Sequence, residues 1–154
     1  GRTGSTTNYM LSPAGPGIEC LTLAAGASQD SNDVAGTVED KEMTMGARYT
    51  MGNITAGYQV SEIQSGTTGA AGYNGTFYGV AVNVNENLSV SYNIADLEVD
   101  NPSSTNVTEE TTGISAAYSM GSASIRLSHN EADNVSGVTG AKDDNTEISL
   151  ALSF

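Results

Sequence analysis

The sequence predicts an all-β, antiparallel fold. Three observations predict it: segment after segment alternates apolar with small polar residues, tight turns alternate with long polar loops, and the composition is poor in core-forming side chains. The 154 residues suffice for one domain, 1–154, yet hold no Trp, two Phe and 18 Gly. Abundant Ser, Thr and Asn disfavour long helices and suit strands joined by tight turns.

Residues 1–16 read as a partial strand followed by a turn. The stretch 17–27 is a weaker strand candidate, because its apolar residues do not alternate cleanly. From 42 to 51, Met43, Met45, Ala47, Tyr49 and Met51 oppose Glu42, Thr44, Gly46, Arg48 and Thr50. From 54 to 61, Ile54, Ala56, Tyr58 and Val60 oppose Thr55, Gly57, Gln59 and Ser61. Tyr78, Val80, Val82 and Val84 oppose Gly79, Ala81, Asn83 and Asn85, and Leu88, Val90, Tyr92 and Ile94 oppose Ser89, Ser91, Asn93 and Ala95. Ile114, Ala116, Tyr118 and Met120 oppose Ser115, Ala117 and Ser119, and Ala123, Ile125 and Leu127 oppose Ser124, Arg126 and Ser128. The end of the chain, Thr146 to Phe154, sets Ile148, Leu150, Leu152 and Phe154 against Glu147, Ser149, Ala151 and Ser153. Successive strand side chains point to opposite faces, so each segment is two-faced.

The connections at 51–53, 85–87 and 120–122 carry Gly and Asn turn chemistry. Between them lie polar stretches read as loops at 28–41, 62–75, 96–111 and 129–145.

Net charge is −13, from 18 acidic and five basic residues. That balance opposes nucleic-acid binding, which needs basic patches. Cys20 is the single cysteine and His129 the single histidine, so neither a disulfide nor a thiolate metal site is available within the chain. With no nucleophile–base pair or metal cluster in view, the chain does not read as an enzyme and implies no cofactor. No run reaches the roughly 18 apolar residues of a membrane helix. The chain opens Gly-Arg-Thr, and reads as a processed chain or a fragment.

A soluble sandwich and a membrane barrel both alternate. Segregation of short turns from long loops favours the barrel, with short turns on the periplasmic side and long loops outside. So does a polar face of Ser, Gly, Ala, Thr and Asn where a soluble strand carries Lys and Glu. Aromatics at the ends of the apolar faces point the same way. Tyr49, Tyr118 and Phe154 lie beside the short-turn edge and Tyr78 near the long-loop edge, as interfacial girdles require. The expectation is an antiparallel transmembrane β-barrel of about eight strands in a bacterial outer membrane.

The segment Asn8-Tyr9-Met10-Leu11-Ser12-Pro13, the Gly-rich turn Ala14-Gly15-Pro16-Gly17 and the strand ending in Phe154 resemble the general trimeric porins of Gram-negative bacteria. The resemblance implies a passive, water-filled channel for small hydrophilic solutes, in a homotrimer within lipid and lipopolysaccharide. It also implies that this chain is the C-terminal half of a 16-stranded barrel and lacks the family's constriction loop. A complete eight-stranded barrel is the alternative, but a Ser/Gly/Ala interior fills a narrow barrel poorly.

Arg48, Arg126, Glu42, Gln59 and Glu147 fall on the polar face as candidate pore-lining residues. The arginines set a transverse field or pair with Glu42 and Glu147. The acidic excess points to cation preference. Asp143 and Asp144 are weak Ca²⁺ candidates, without the spacing of a calcium loop. Three glycosylation-type triplets, at Asn53, Asn74 and Asn106, are chance matches in a chain this rich in Asn, Ser and Thr. His129 is expected at a loop base, and Cys20 as a small buried or lipid-facing residue. Two other functions fit the pattern: a small surface barrel acting as adhesin or receptor, and a soluble β-rich adhesin subunit.

Overall fold

A computed structural model of the chain describes residues 3–11, 20–31 and 39–153. Nine strands form one antiparallel sheet in strict chain order. They are β1 (Thr3–Leu11), β2 (Leu21–Ser31), β3 (Asp40–Met51), β4 (Ile54–Gln64), β5 (Gly72–Asn83), β6 (Leu88–Asp100), β7 (Val107–Met120), β8 (Ala123–Asp133) and β9 (Lys142–Leu152). The all-β antiparallel expectation is met. The Ser12-Pro13 end of the porin-like segment, its Gly-rich turn and Phe154 lie outside the described residues.

The short turns follow their residues. Met51 pairs with Ile54 across Gly52-Asn53, and Met120 with Ala123 across Gly121-Ser122. Gly52 and Gly121 sit at φ 61° and 60°, while Asn53 and Ser122 do not have positive φ. A left-handed first position followed by an ordinary second is the type II′ pattern, which matches strand twist and favours Gly first. Asn53 also donates from Nδ2 to the Asn83 carbonyl at 2.9 Å, tying the first turn to the second. In the wider turn, Asn85 Oδ1 accepts from the Asn87 and Leu88 amides, each at 2.9 Å.

Two expectations need correction. The described parts of the partial strand and of the weak 17–27 segment belong to full strands, Thr3–Leu11 and Leu21–Ser31, giving nine instead of eight and a fraction. The stretches read as long loops are a little over half strand where they are described, with true loops only at 65–71, 101–106 and 134–141 among the described residues. The cause is a change of phase. In β6 the apolar residues are Leu88, Val90, Tyr92 and Ile94, and then the pattern jumps to Leu97 and Val99 between Asp96, Glu98 and Asp100. Hydrogen bonding continues through the jump, since Leu97 pairs with Gly75 and Val99 with Tyr73. A backbone ladder does not require one face to stay apolar, so period two breaks while the strand goes on.

The ladder is linear: β1 and β9 are its two ends. Nine alternating strands leave these two running in the same direction, so closing one on the other would make a parallel seam. No pairing joins them among the described residues, so the sheet is open, where a closed barrel is expected.

Among the described residues no hydrophobic side chain is buried, and the accessible surface totals 10620 Å². A compact soluble protein of 15.8 kDa exposes about 7300 Å². A single-layer sheet, with no second layer packed on either face, exposes more surface than a compact protein.

Candidate functional site: a tilted apolar belt and a polar wall

Direct partners across a ladder share a face, so the registers sort every strand residue. One face carries Met45, Ala47, Tyr49, Tyr58, Val80, Tyr92, Ile114, Leu127, Ile148 and Leu150; the other carries Arg48, Gly57, Gly79, Asn93, Gly113 and Asn130. The apolar face is well exposed: Met45 46%, Tyr58 52%, Ile114 57%, Leu150 66%. Such a patch far exceeds the few hundred Å² that a soluble monomer leaves in water.

The belt's edges run obliquely to the hydrogen-bonded rows. The row of Met51 and Ile54, beside the first short turn, reaches Ala116 on β7, four residues short of the turn after Met120. On the other side, the last β8–β9 pair, Asp133 with Lys142, stands in the row of Val60, four residues before the end of β4. Both edges therefore slip by about one residue per strand. With about 3.3 Å per residue and about 4.8 Å between strands, the strands lean about 35° from the belt normal.

Once that lean is allowed for, the polar border is level. Glu62, Asp96, Glu110, Glu131 and Asp144 follow the apolar residues at nearly one height on β4, β6, β7, β8 and β9. Tyr58 pairs directly with Tyr78, and Tyr92, opposite Val80, stands level with them near the middle of the belt, four residues short of Glu62 on β4 and of Asp96 on β6. Tyr49 and Tyr118 share the opposite margin. Tyr58, Tyr78 and Tyr92 thus form an aromatic row across the belt that no single strand reveals. Only the cross-strand slip puts them in line.

The polar face is a wall of short side chains. Thr50 and Thr55 hydroxyls meet at 3.1 Å, and Ser91 and Ser115 at 2.7 Å. A hollow of about 600 Å³ on this face is lined by Thr22, Arg48, Gln59, Phe77 and Asn93, with Gly57 and Gly79 in its floor. The structure thus brings Arg48 and Gln59 together and adds Phe77. Arg126 stands five strands away, opposite Ala117 and Ser149. It lies four residues along β8 from Asn130, in the Arg48 row, so the lean sets the two arginines at nearly equal height. Glu42 accepts from the Ser28 hydroxyl at 3.0 Å, and Glu147 stands opposite Ser128. Neither arginine is within ion-pair distance of Glu42 or Glu147: the Lys or Arg ion pair among the described residues is Lys142–Asp133.

Asp143 and Asp144 are neighbours in β9, not loop residues. Their side chains leave opposite faces of the strand and cannot share one Ca²⁺. No group of three or more potential metal ligands occurs among the described residues. His129 sits inside β8 on the apolar face instead of at a loop base. Its Nδ1 is 2.8 Å from the Thr146 hydroxyl and its Nε2 3.3 Å from Glu131 Oε1. Cys20 is exposed just before β2, not buried, and its carbonyl accepts from the Thr50 amide at 3.0 Å.

Comparison with protein-family models, curated proteins and solved structures finds no match for this chain.

Proposed function

We propose that this sheet is the wall of a β-barrel channel of the bacterial outer membrane, passing small hydrophilic solutes and ions without catalysis. The observation that carries the reading is the apolar belt and its lean. A lean of about 35° falls within the range of membrane barrels. Along β3 the belt runs from Met43 to Met51, nine residues or eight steps, about 22 Å along the normal after the lean, close to the apolar band of such proteins. No helix among the described residues is long and apolar enough to cross a membrane; the strands have the length to do so. One support comes from the polar face: its short hydroxyl and amide side chains suit a wetted wall. Barrel closure needs further strands between β9 and β1, odd in number if every seam is antiparallel. That arithmetic agrees with a porin half; on that reading the protein works as a homotrimer among lipid and lipopolysaccharide.

The experiment is planar-bilayer recording of the detergent-extracted protein in its full-length form. Discrete conductance steps are expected, with a preference for K⁺ over Cl⁻. Arg126→Glu should raise that preference about twofold, because a wall charge changes sign in a water-filled passage. A protein that never conducts, or that stays soluble and monodisperse without detergent, contradicts the reading.

A further inference from the structure

Beyond the belt, the two faces exchange character. The row Ile63, Tyr73, Val99 and Val107 lies on the otherwise polar face. Opposite it, the formerly apolar face turns to Glu62, Asn74, Glu98 and Thr108. A water-filled passage gives no reason for an inward apolar row, so the row calls for a cover.

The β8–β9 loop supplies part of it. Residues 134–141 leave their own hairpin and cross β7 on the inward face. The Ser136 amide donates to Glu109 Oε2 at 2.8 Å, and Asn134 Nδ2 donates to the Thr108 carbonyl at 3.0 Å. Glu109 belongs to the inward face, opposite Leu97. A Cβ on Gly137 would stand 3.5 Å from Val99 Cγ2, so the loop reaches as far as β6. Its short 3-10 turn, Val135–Gly137, holds Asn134 and Ser136 at φ 56° each. Left-handed backbone is uncommon outside glycine and costs about 1 kcal/mol or more per residue, so anchors must hold it. Asn134 provides one from within, its Oδ1 accepting from the Gly140 amide at 2.9 Å. Lys142 and Asp133 pair at the base of the loop. The hydrogen bond and charge of Asp133 raise Lys142 above its ordinary 10.5. A raised lysine contributes fully below its unfolded value and loses that contribution only as pH climbs through the folded one, so this clasp holds at neutral pH.

We propose that this loop is a selectivity strap at the channel mouth. It narrows the passage and fixes the Glu109 carboxylate on the inner wall as a cation-attracting charge. The loop residues themselves, Asn-Val-Ser-Gly-Val-Thr-Gly-Ala, are uncharged. The charge the strap positions is therefore Glu109, whose second oxygen has no hydrogen-bond partner among the described residues. The inference rests on the channel reading above and adds to it which element filters, and for which sign.

Two variants of the full-length protein test it in planar bilayers. In the first, 134–141 is replaced by Asn-Gly, the two-residue turn that lets Asp133 and Lys142 remain paired. It should conduct about twofold more per channel and admit larger poly(ethylene glycol) probes. In the second, Glu109→Gln, conductance should persist while the K⁺/Cl⁻ permeability ratio falls about twofold. Unchanged conductance and size cut-off after shortening overturn the strap. An unchanged permeability ratio in Glu109→Gln overturns the role of that carboxylate, and this variant remains informative if the shortened one does not assemble. If the unaltered protein fails to conduct, the channel reading fails first. If it conducts and the variants match it, the strap alone is wrong.

Discussion

Leu127→Arg is expected to destabilise the bilayer-inserted protein by about 2–4 kcal/mol, while Ser128→Arg, the next residue, shifts stability by about 0.5 kcal/mol or less. Leu127 lies within the apolar belt between Ala116 and Ile148, and is 48% exposed. In water, an arginine at a half-exposed site keeps its hydration, and the substitution costs little more than the lost leucine contacts. In hydrocarbon the guanidinium has no water and must snorkel or drag a defect with it. The size of the effect therefore reports the medium. Ser128 faces the other way, between Ser115 and Glu147, where an arginine meets water and a carboxylate. Reversible urea unfolding in lipid vesicles measures both. Similar small losses at both positions would place the belt in water.

Gly75→Val is expected to cost about 1–3 kcal/mol by overpacking. Gly75 is buried although it lies on the open polar face, because the Phe77 ring folds back across it. A Cβ at this position would stand 2.8 Å from Phe77 Cε2 and 2.7 Å from Ser61 Oγ. Serine can rotate away, but a ring already laid against the sheet must lift into the hollow beside Gln59 and lose its contacts. A double-mutant cycle isolates the cause. In a Phe77→Ala background, Gly75→Val should cost at least about 0.5 kcal/mol less than in the unaltered chain, as expected for residues in contact. Equal costs in both backgrounds would mean that the ring does not set the constraint.

The belt was legible in the sequence because a sheet with one apolar face imposes period two on each strand separately. Val80, Val82 and Val84 need no partner to be recognised. What could not be read was anything carried by the relation between strands. Tyr58 and Tyr92 join Tyr78 only through register and lean. The upper halves of β4 to β7 looked like loops because their alternation restarts in the opposite phase, as at Leu97 and Val99. Arg48 and Gln59 were recognisable as polar-face residues, and the structure brings them to one hollow. Phe77 was missed because it is an aromatic on the face that otherwise carries small polar groups. Glu109 could not have been singled out, since its interest depends on a loop that crosses β7 from the next hairpin. For Asp143 and Asp144 adjacency misled, because neighbours in a strand point apart.

The central claim is that one face of the sheet meets lipid and the other water, along a belt that leans across the strands. Nitroxide labels placed singly along β3 and β9, in a Cys20→Ser background in lipid vesicles, test it most directly. Collision with oxygen should peak at 45, 47 and 49 and at 148 and 150. Collision with a water-soluble nickel complex should peak at 44, 46 and 48 and at 147, 149 and 151. On β9 the lipid zone should begin only past Thr146, about six residues beyond the row of Val60, where the zone on β4 ends. Labels on both faces that respond equally to the nickel complex would contradict the account.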